Sequence, residues 1–395
     1  MQQFSLYVHI PFCSAKCTYC DFNSYAGQDS LMQPYAQAVA TEARLWAPHL
    51  TGRRVETVFF GGGTPSLLPL PEMGVIIRAL HDKFEIEQDA EISLEANPGT
   101  VDAGHLQGLR SLGFNRISFG VQSFHDDELR TLERIHDADE VKDAYCWARE
   151  AGFDNVNLDL IYGLEGQTFE GWQTNLETAL ALGPDHLSLY ALTLEEGTPM
   201  TRDVGRGRKR GPDLDLQADM FEWSLERLKN EGFQHYEVSN WAREGRRCRH
   251  NLVYWHNGDW LGLGAGAHSH MFEERFADAA SPSRYIALVG ETEKTQLGPS
   301  DMRQIVMREP ADIEREMSET AFLALRLREG LQIEAWEARF GLDIMDVFGD
   351  SIRETQTLGL TEIVDGHLRL REEAVLLGDE AFMRFLEPAV SVNMK

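Results

Sequence analysis

The chain has 395 residues and a formal net charge of −27, with hydrophobic residues at 43% and charged residues at 26%. That length holds roughly two or three domains, and the ordinary apolar-to-charged balance excludes a disordered or fibrous chain. The acidic excess excludes broad nucleic-acid binding, which needs clustered Lys and Arg, and no apolar run approaches a membrane span.

The opening MQQFSLYVHIPFC has neither a basic n-region nor a small-residue cleavage site, so a cytoplasmic protein is expected. In chain order, strands are predicted at Ser5 to His9, Thr57 to Phe60, Glu91 to Glu95, Arg116 to Phe119, Asn155 to Ile161 and His186 to Tyr190. Between them, helices are predicted to begin near Leu31, Pro71, Val101, Asp126, Asp139 and Phe169. Leu112-Gly113-Phe114, Ala151-Gly152-Phe153 and Glu231-Gly232-Phe233 each close a charged helical stretch before an apolar run. Glycine accepts the left-handed conformation just past a helix end, so these triplets read as helix stops.

Alternation of strand and helix implies parallel strands, and six such units imply an α/β chain built as a partial (β/α)6-type barrel over residues 1–235. Reactive groups of such a barrel gather at the carboxyl ends of its strands. Gly197 to Pro212 is expected to be an exposed connection. Residues 236–310 read as a Trp-, His- and Gly-rich extension and linker. From 311 to 395, two amphipathic helices and a Gly359 turn into TEIVDGHLRLR predict a small α+β accessory domain of winged-helix type.

Three of the five cysteines fall in Cys13-x3-Cys17-x2-Cys20, one loop directly after the first strand. So close a spacing is useless as a disulfide framework, and clustered thiolates in a reducing compartment bind metal. Three thiolates leave one iron of a [4Fe–4S] cluster open to a small chelator. The rival is structural zinc, which needs a fourth ligand such as His9. Cys146, in DAYCWAREAG, reads as an inert buried thiol.

The cysteine spacing, with Tyr19 inside it, resembles the signature of the radical S-adenosylmethionine (SAM) superfamily. That resemblance implies that the open iron chelates SAM and that an electron from the cluster cleaves the sulfonium to a 5′-deoxyadenosyl radical. Tyr7-Val8-His9-Ile10-Pro11-Phe12-Cys13 is similar to the opening of the oxygen-independent coproporphyrinogen oxidase group, and Phe60-Gly61-Gly62-Gly63-Thr64-Pro65 to its glycine motif. The same resemblance implies SAM contacts at Tyr7, Tyr19, Gly62, Gly63, Thr64, Glu95, Gln122, Arg134 and Asp159. Taken singly, a carboxylate ending a strand is as well read as solvated or bonded to loop amides.

Two departures separate the chain from the oxidases of that group. Their cluster motif continues to a fourth cysteine where this chain has Phe22, and they carry an extension ahead of the cluster strand. Both speak against decarboxylase activity. His250-Asn251-Leu252-Val253-Tyr254-Trp255 resembles instead the HNxxYW motif of the HemW-type haem-chaperone branch, as does the following Trp260 to Ser269. The resemblance implies haem as a further cofactor and haem-acceptor proteins as partners, with a transient membrane-protein acceptor and a homodimer as open options. His250 is the first candidate for the haem ligand, with His268 and Cys248 as competitors, and Arg246, Arg247 and Arg249 are candidates for the propionates. The alternative for His250, Tyr254 and Trp255 is an aromatic plug under the barrel mouth.

Overall fold

The computed structural model describes residues 2–295, 298–310 and 312–388. Six parallel strands form the body: β1 (Gln3–Ile10), β2 (Arg54–Gly62), β3 (Glu85–Ala96), β4 (Arg116–Gln122), β5 (Val156–Tyr162) and β6 (His186–Ala191). They pair in chain order. Each predicted strand lies inside one of them, except that Asn155 falls one residue ahead of β5. Their central residues are apolar runs buried on both faces, as a parallel sheet covered by helices requires.

The covering helices are α1 (Met32–Trp46), α2 (Leu70–Lys83), α3 (Ala103–Ser111), the short α4 (Asp126–Thr131), α5 (Ala138–Glu150) and α6 (Phe169–Leu182). Side-chain caps fix several starts: Asp102 accepts from His105 N at 2.8 Å, and Asp137 with Glu140 forms a reciprocal capping box ahead of α5. The three glycine triplets end α3, α5 and a later helix, with Gly113, Gly152 and Gly232 at φ 103°, 90° and 81°.

Two corrections concern the periphery. Gly197 to Pro212 is not merely a connection, because it contains α7 (Pro199–Gly205), whose buried Met200 donates its N–H to the Thr18 carbonyl at 3.0 Å. Cys146 is exposed rather than buried. Helix α5 turns Val141, Ala144, Tyr145 and Ala148 inward, and that periodicity leaves position 146 on the outer face.

Residues 236–310 were expected as extension and linker, yet they build both ends of the same sheet. After α8 (Leu214–Asn230), β7 (Gln234–Glu237) and β8 (Asn240–Ala242) extend it beyond β6. Helix α9 (Arg249–Trp255) follows, and then β9 (Trp260–Leu263) returns to pair in parallel with β1. The antiparallel strands β10 (His268–Met271), β11 (Glu274–Asp278) and β12 (Ile305–Pro310), with α10 (Pro282–Thr295) between the last two, complete a 12-stranded sheet.

The C-terminal unit has its own core, around Met317, Leu325, Trp336, Phe348 and Ile352. It packs α11 (Ile313–Ala324), α12 (Ile333–Phe340) and α13 (Ile344–Thr357) against a small sheet of β13 (Leu331–Gln332), β14 (Thr361–Val364) and β15 (His367–Leu370). Helices followed by a hairpin match the winged-helix expectation, with α13 an addition to it. Residues 311 and 389–395 of the expected domain lie outside the described residues.

Candidate functional site

A cavity of about 860 Å3 opens at the carboxyl ends of the parallel strands. Cys13, Cys17 and Cys20 line it from the loop after β1, together with Tyr7, Tyr19, Gly62, Gly63, Thr64, Glu95, Gln122, Arg134 and Asp159. Every expected cluster and SAM residue thus reaches one space, although they come from five successive strands or the loops after them. His250 does not line it.

The cysteine loop is held on three sides. Thr64 Oγ1 donates to Cys13 Sγ at 3.5 Å, and Arg134 Nη1 reaches Cys17 Sγ at 3.6 Å and the Tyr19 hydroxyl at 3.5 Å. Arg134 is anchored through Nη2 to the Gly120 carbonyl at 2.7 Å. Donors aimed at half-buried sulfurs suit thiolate ligands, whose charge they offset. His9, the fourth ligand that zinc would need, is committed elsewhere. Its Nε2 donates to the Asn23 carbonyl at 2.8 Å and its Nδ1 accepts from the Tyr7 hydroxyl at 3.0 Å. Among the described residues no three His, Cys, Asp or Glu side chains converge on one ion, whereas a cubane asks each thiolate for a separate iron.

The glycine motif is fitted to this loop. Gly62 stands at φ 111°, and a Cβ there would come within 2.3 Å of the His9 ring; a Cβ on Gly63 would meet the Phe12 carbonyl at 2.7 Å. Gly63 N–H donates to the Ile10 carbonyl and Thr64 N–H to that of Phe12, each at 2.8 Å. Side-chain-free residues therefore serve first to bring β2 against the cysteine loop. Gly62 N–H, expected to face a ligand, donates to Glu95 Oε2 at 3.1 Å.

Glu95 and Asp159 are two carboxylates on neighbouring parts of the same wall. Burial, and then repulsion from Asp159, push the Glu95 carboxyl up to about 7, despite the Gly62 N–H and the Arg116 charge. Burial also raises Asp159, against hydrogen bonds from Ser118 at 3.0 Å and Asn157 at 2.7 Å. A wall that holds carboxylates so reluctantly ionised favours a cationic guest. Gln122 adapts the end of β4 through φ 67°, a conformation a non-glycine residue adopts only under constraint.

The HNxxYW segment forms α9, which plugs the barrel from the side of the strand beginnings. Glu91 takes the backbone N–H of Arg249 at 2.9 Å and of His250 at 3.3 Å, an anion at a helix N-terminus. His250 is fully buried. Thr57 donates to Ser5 at 2.7 Å, so the 2.7 Å contact between Thr57 Oγ1 and His250 Nδ1 carries the imidazole proton. Nε2 must then accept from the Tyr254 hydroxyl at 2.8 Å. Both ring nitrogens are taken, and burial next to Arg116 lowers the imidazole to about 3. This is the aromatic plug, with Tyr254 and Asn251 facing the cavity and His250 behind them.

The competitors fare differently. Cys248 is buried against Glu91 and its thiol is pushed up to about 12, so it offers no thiolate. His268 is exposed on β10, away from the cavity, and among the described residues no histidine lines that cavity. Arg246 and Arg247 face Asp154 and Glu329, each at 3.5 Å, and Arg249 donates to the Asp89 carbonyl at 2.7 Å. None of the three lines the cavity either. Sequence reasoning missed Arg116, Tyr190 and Arg326, and the wall supplied by Val375, Leu376 and Phe382. The tyrosine ends β6 as Asp159 sits in β5, which a strand-end search would have found; the C-terminal residues carry no such local signal.

Comparison with known proteins agrees with this geometry. The radical SAM superfamily model matches residues 7–179, and that of the HemN C-terminal domain matches 312–377. A haem chaperone HemW of Bacillus subtilis is 34% identical over 97% of this chain and 99% of its own length. One of Mycobacterium tuberculosis is 35% identical over 95% and 94%. Among solved structures, the coproporphyrinogen III oxidase HemN of Escherichia coli superposes with a TM-score of 0.84 at 25% identity, covering 98% of this chain and 90% of that one. The chain belongs to the HemW family of the radical SAM superfamily.

Proposed function

We propose that this chain is a haem chaperone that binds haem, carries a SAM-coordinated [4Fe–4S] cluster on Cys13, Cys17 and Cys20, and delivers haem to acceptor proteins. The observation that carries the reading is similarity along nearly the whole chain to proteins named haem chaperones. Phe22 supports it, because it stands 59% exposed at the cavity wall where the oxidases of the wider group have a cysteine. When bound, the cluster supplies one open iron for SAM and an electron for cleaving its sulfonium. Thr64 and Arg134 orient the cysteines, Glu95 and Asp159 attract the cationic ligand, and α9 closes the floor against water. No helix among the described residues is long and apolar enough to cross a membrane. Free thiols at all five cysteines favour work in a reducing cytoplasm.

The test is anaerobic reconstitution with iron and sulfide, followed by haem titration and an assay for coproporphyrinogen decarboxylation. The expected result is a haem complex and no carbon dioxide. Stoichiometric carbon dioxide over repeated turnovers would establish the oxidase alternative, to which the HemN superposition is the pertinent observation. Size-exclusion of the haem-loaded protein, alone and with a detergent-held acceptor, reads out a homodimer and a membrane-protein partner.

A further inference from the structure

The C-terminal unit joins the rest of the chain through side-chain contacts of α11 and α12 with Asn257, His270 and Arg275, and through one short backbone seam at residues 236–238. Val238 N–H donates to the Arg326 carbonyl at 3.1 Å, Arg328 N–H donates to the Tyr236 carbonyl at 3.0 Å, and Glu237 bridges Leu327 between them. This fixes Arg326, which follows α11, in the cavity wall. Its guanidinium lies over the Trp255 ring, 4.5 Å from the centroid, so the last residue of the HNxxYW segment holds it in place. Yet Nη2 stops 3.8 Å from Glu237 Oε2, beyond hydrogen-bond reach. Arg326 Nε, Glu237 Oε2 and Trp255 Nε1 are all buried without a hydrogen-bond partner.

Two of the other cations of the wall are engaged by hydrogen bonds. Lys16 donates to the Phe22 carbonyl at 3.0 Å and Arg134 to Gly120 and the cysteine loop. Arg116, whose Nε is also without a partner, lies in the field of Glu91 and Asp159. Among the described residues the carboxylate within ion-pair distance of Arg326 is that of Glu237, at 3.8 Å. None of its partners belongs to the cysteine loop or the glycine motif. The wall here is largely apolar or aromatic: Phe221, Tyr190 and Tyr254 come from the barrel, and Val375, Leu376 and Phe382 from the C-terminal unit, which also brings Asp379. A stacked guanidinium short of acceptors, in an apolar cleft, is built for the carboxylate of a large hydrophobic molecule.

We propose that the seam between barrel and C-terminal unit is a second binding subsite, in which Arg326 takes a carboxylate carried by a flat, largely apolar molecule. This rests on the haem-chaperone reading, under which the carboxylate is a haem propionate. The assignment moves propionate recognition from Arg246, Arg247 and Arg249, on the outer face, to the cavity.

The experiment titrates reconstituted full-length protein with ferric haem and with haem dimethyl ester, whose propionates are blocked. Wild type should prefer the free acid by about tenfold or more, the usual scale of a charged hydrogen bond. Arg326→Gln should bind both forms equally and weakly, and Arg326→Lys should restore part of the preference. Leu376→Trp, at a surface position of the same wall, should weaken both forms without abolishing the preference, which guards against a misfolded Arg326 variant. An unchanged ester preference in Arg326→Gln would overturn the subsite while leaving the chaperone function standing, as would loss of the preference in Arg247→Gln instead. Failure of wild type to bind haem at all would overturn both.

Discussion

The cysteine loop with its glycine motif and the HNxxYW helix are both short, distinctive stretches of sequence, yet they work in opposite directions. In the first, the distinctive side chains face the cavity and the glycines make room for the protein itself: Gly62 for the His9 ring, Gly63 for the Phe12 carbonyl. In the second, the histidine faces away and saturates its hydrogen bonds with Thr57 and Tyr254, while its neighbours Asn251 and Tyr254 meet the cavity. A motif thus marks where a site is built. Which member touches the ligand is decided by what surrounds it.

The largest effect expected from the comparison is on the exposed side. Cys17→Ala should abolish the visible absorption and paramagnetic signal of the reconstituted cluster, since each iron in the three-thiolate arrangement depends on its own sulfur. A full four-iron spectrum in that variant would remove the cluster assignment, and tightly held zinc would revive the rival ion.

His250→Ala comes next and separates plug from ligand. It deletes a fully buried ring and strands the Thr57 and Tyr254 hydroxyls, a change worth about 3 kcal/mol of stability. Thermal unfolding should therefore fall clearly while the Soret band of bound haem keeps its position. A displaced Soret band with an unshifted unfolding curve would restore the imidazole as haem ligand.

Much of this was legible in the residues alone, for identifiable reasons. Parallel strands buried on both faces must be apolar runs, so all six showed themselves, and three cysteines confined to one loop pointed by their spacing to the cluster proposed for them. The burial of His250 was not legible, because it depends on Ser5, Thr57 and Glu91, distant in sequence and brought under α9 only by the pairing of β1, β2 and β3. The pairing of β9 with β1 was hidden likewise, joining residues about 250 positions apart. Arg326 had no motif at all; its place in the wall follows from how the C-terminal unit zips onto residues 236–238.

On the open wall, a smaller effect tests the carboxylates. Asp159→Ala should weaken the SAM-induced change in the reduced cluster's resonance about tenfold in SAM concentration, with iron content intact. An unshifted titration would place the SAM contacts elsewhere in the cavity.

The subtlest expectation is a pH dependence carried by Glu95. Its carboxyl is raised from 4.5 to about 7 by burial first and by Asp159 second, with Gly62 N–H and Arg116 opposing. The folded chain therefore keeps this proton where the unfolded chain has lost it, so Glu95 makes stability fall as pH rises from about 4.5 to about 7 and contributes no further slope above that. A cationic ligand reverses the preference, because a sulfonium or ammonium nearby favours the ionised carboxylate. SAM affinity should accordingly increase as pH rises from 6 to 8, and binding below pH 7 should release a proton. Calorimetry in two buffers of different ionisation enthalpy measures that proton directly. In Glu95→Gln both the slope and the buffer dependence should disappear, while iron content stays that of wild type. If wild type binds SAM equally at pH 6 and pH 8, Glu95 is not at the cation, and its raised carboxyl serves only the packing of β3 against the glycine motif.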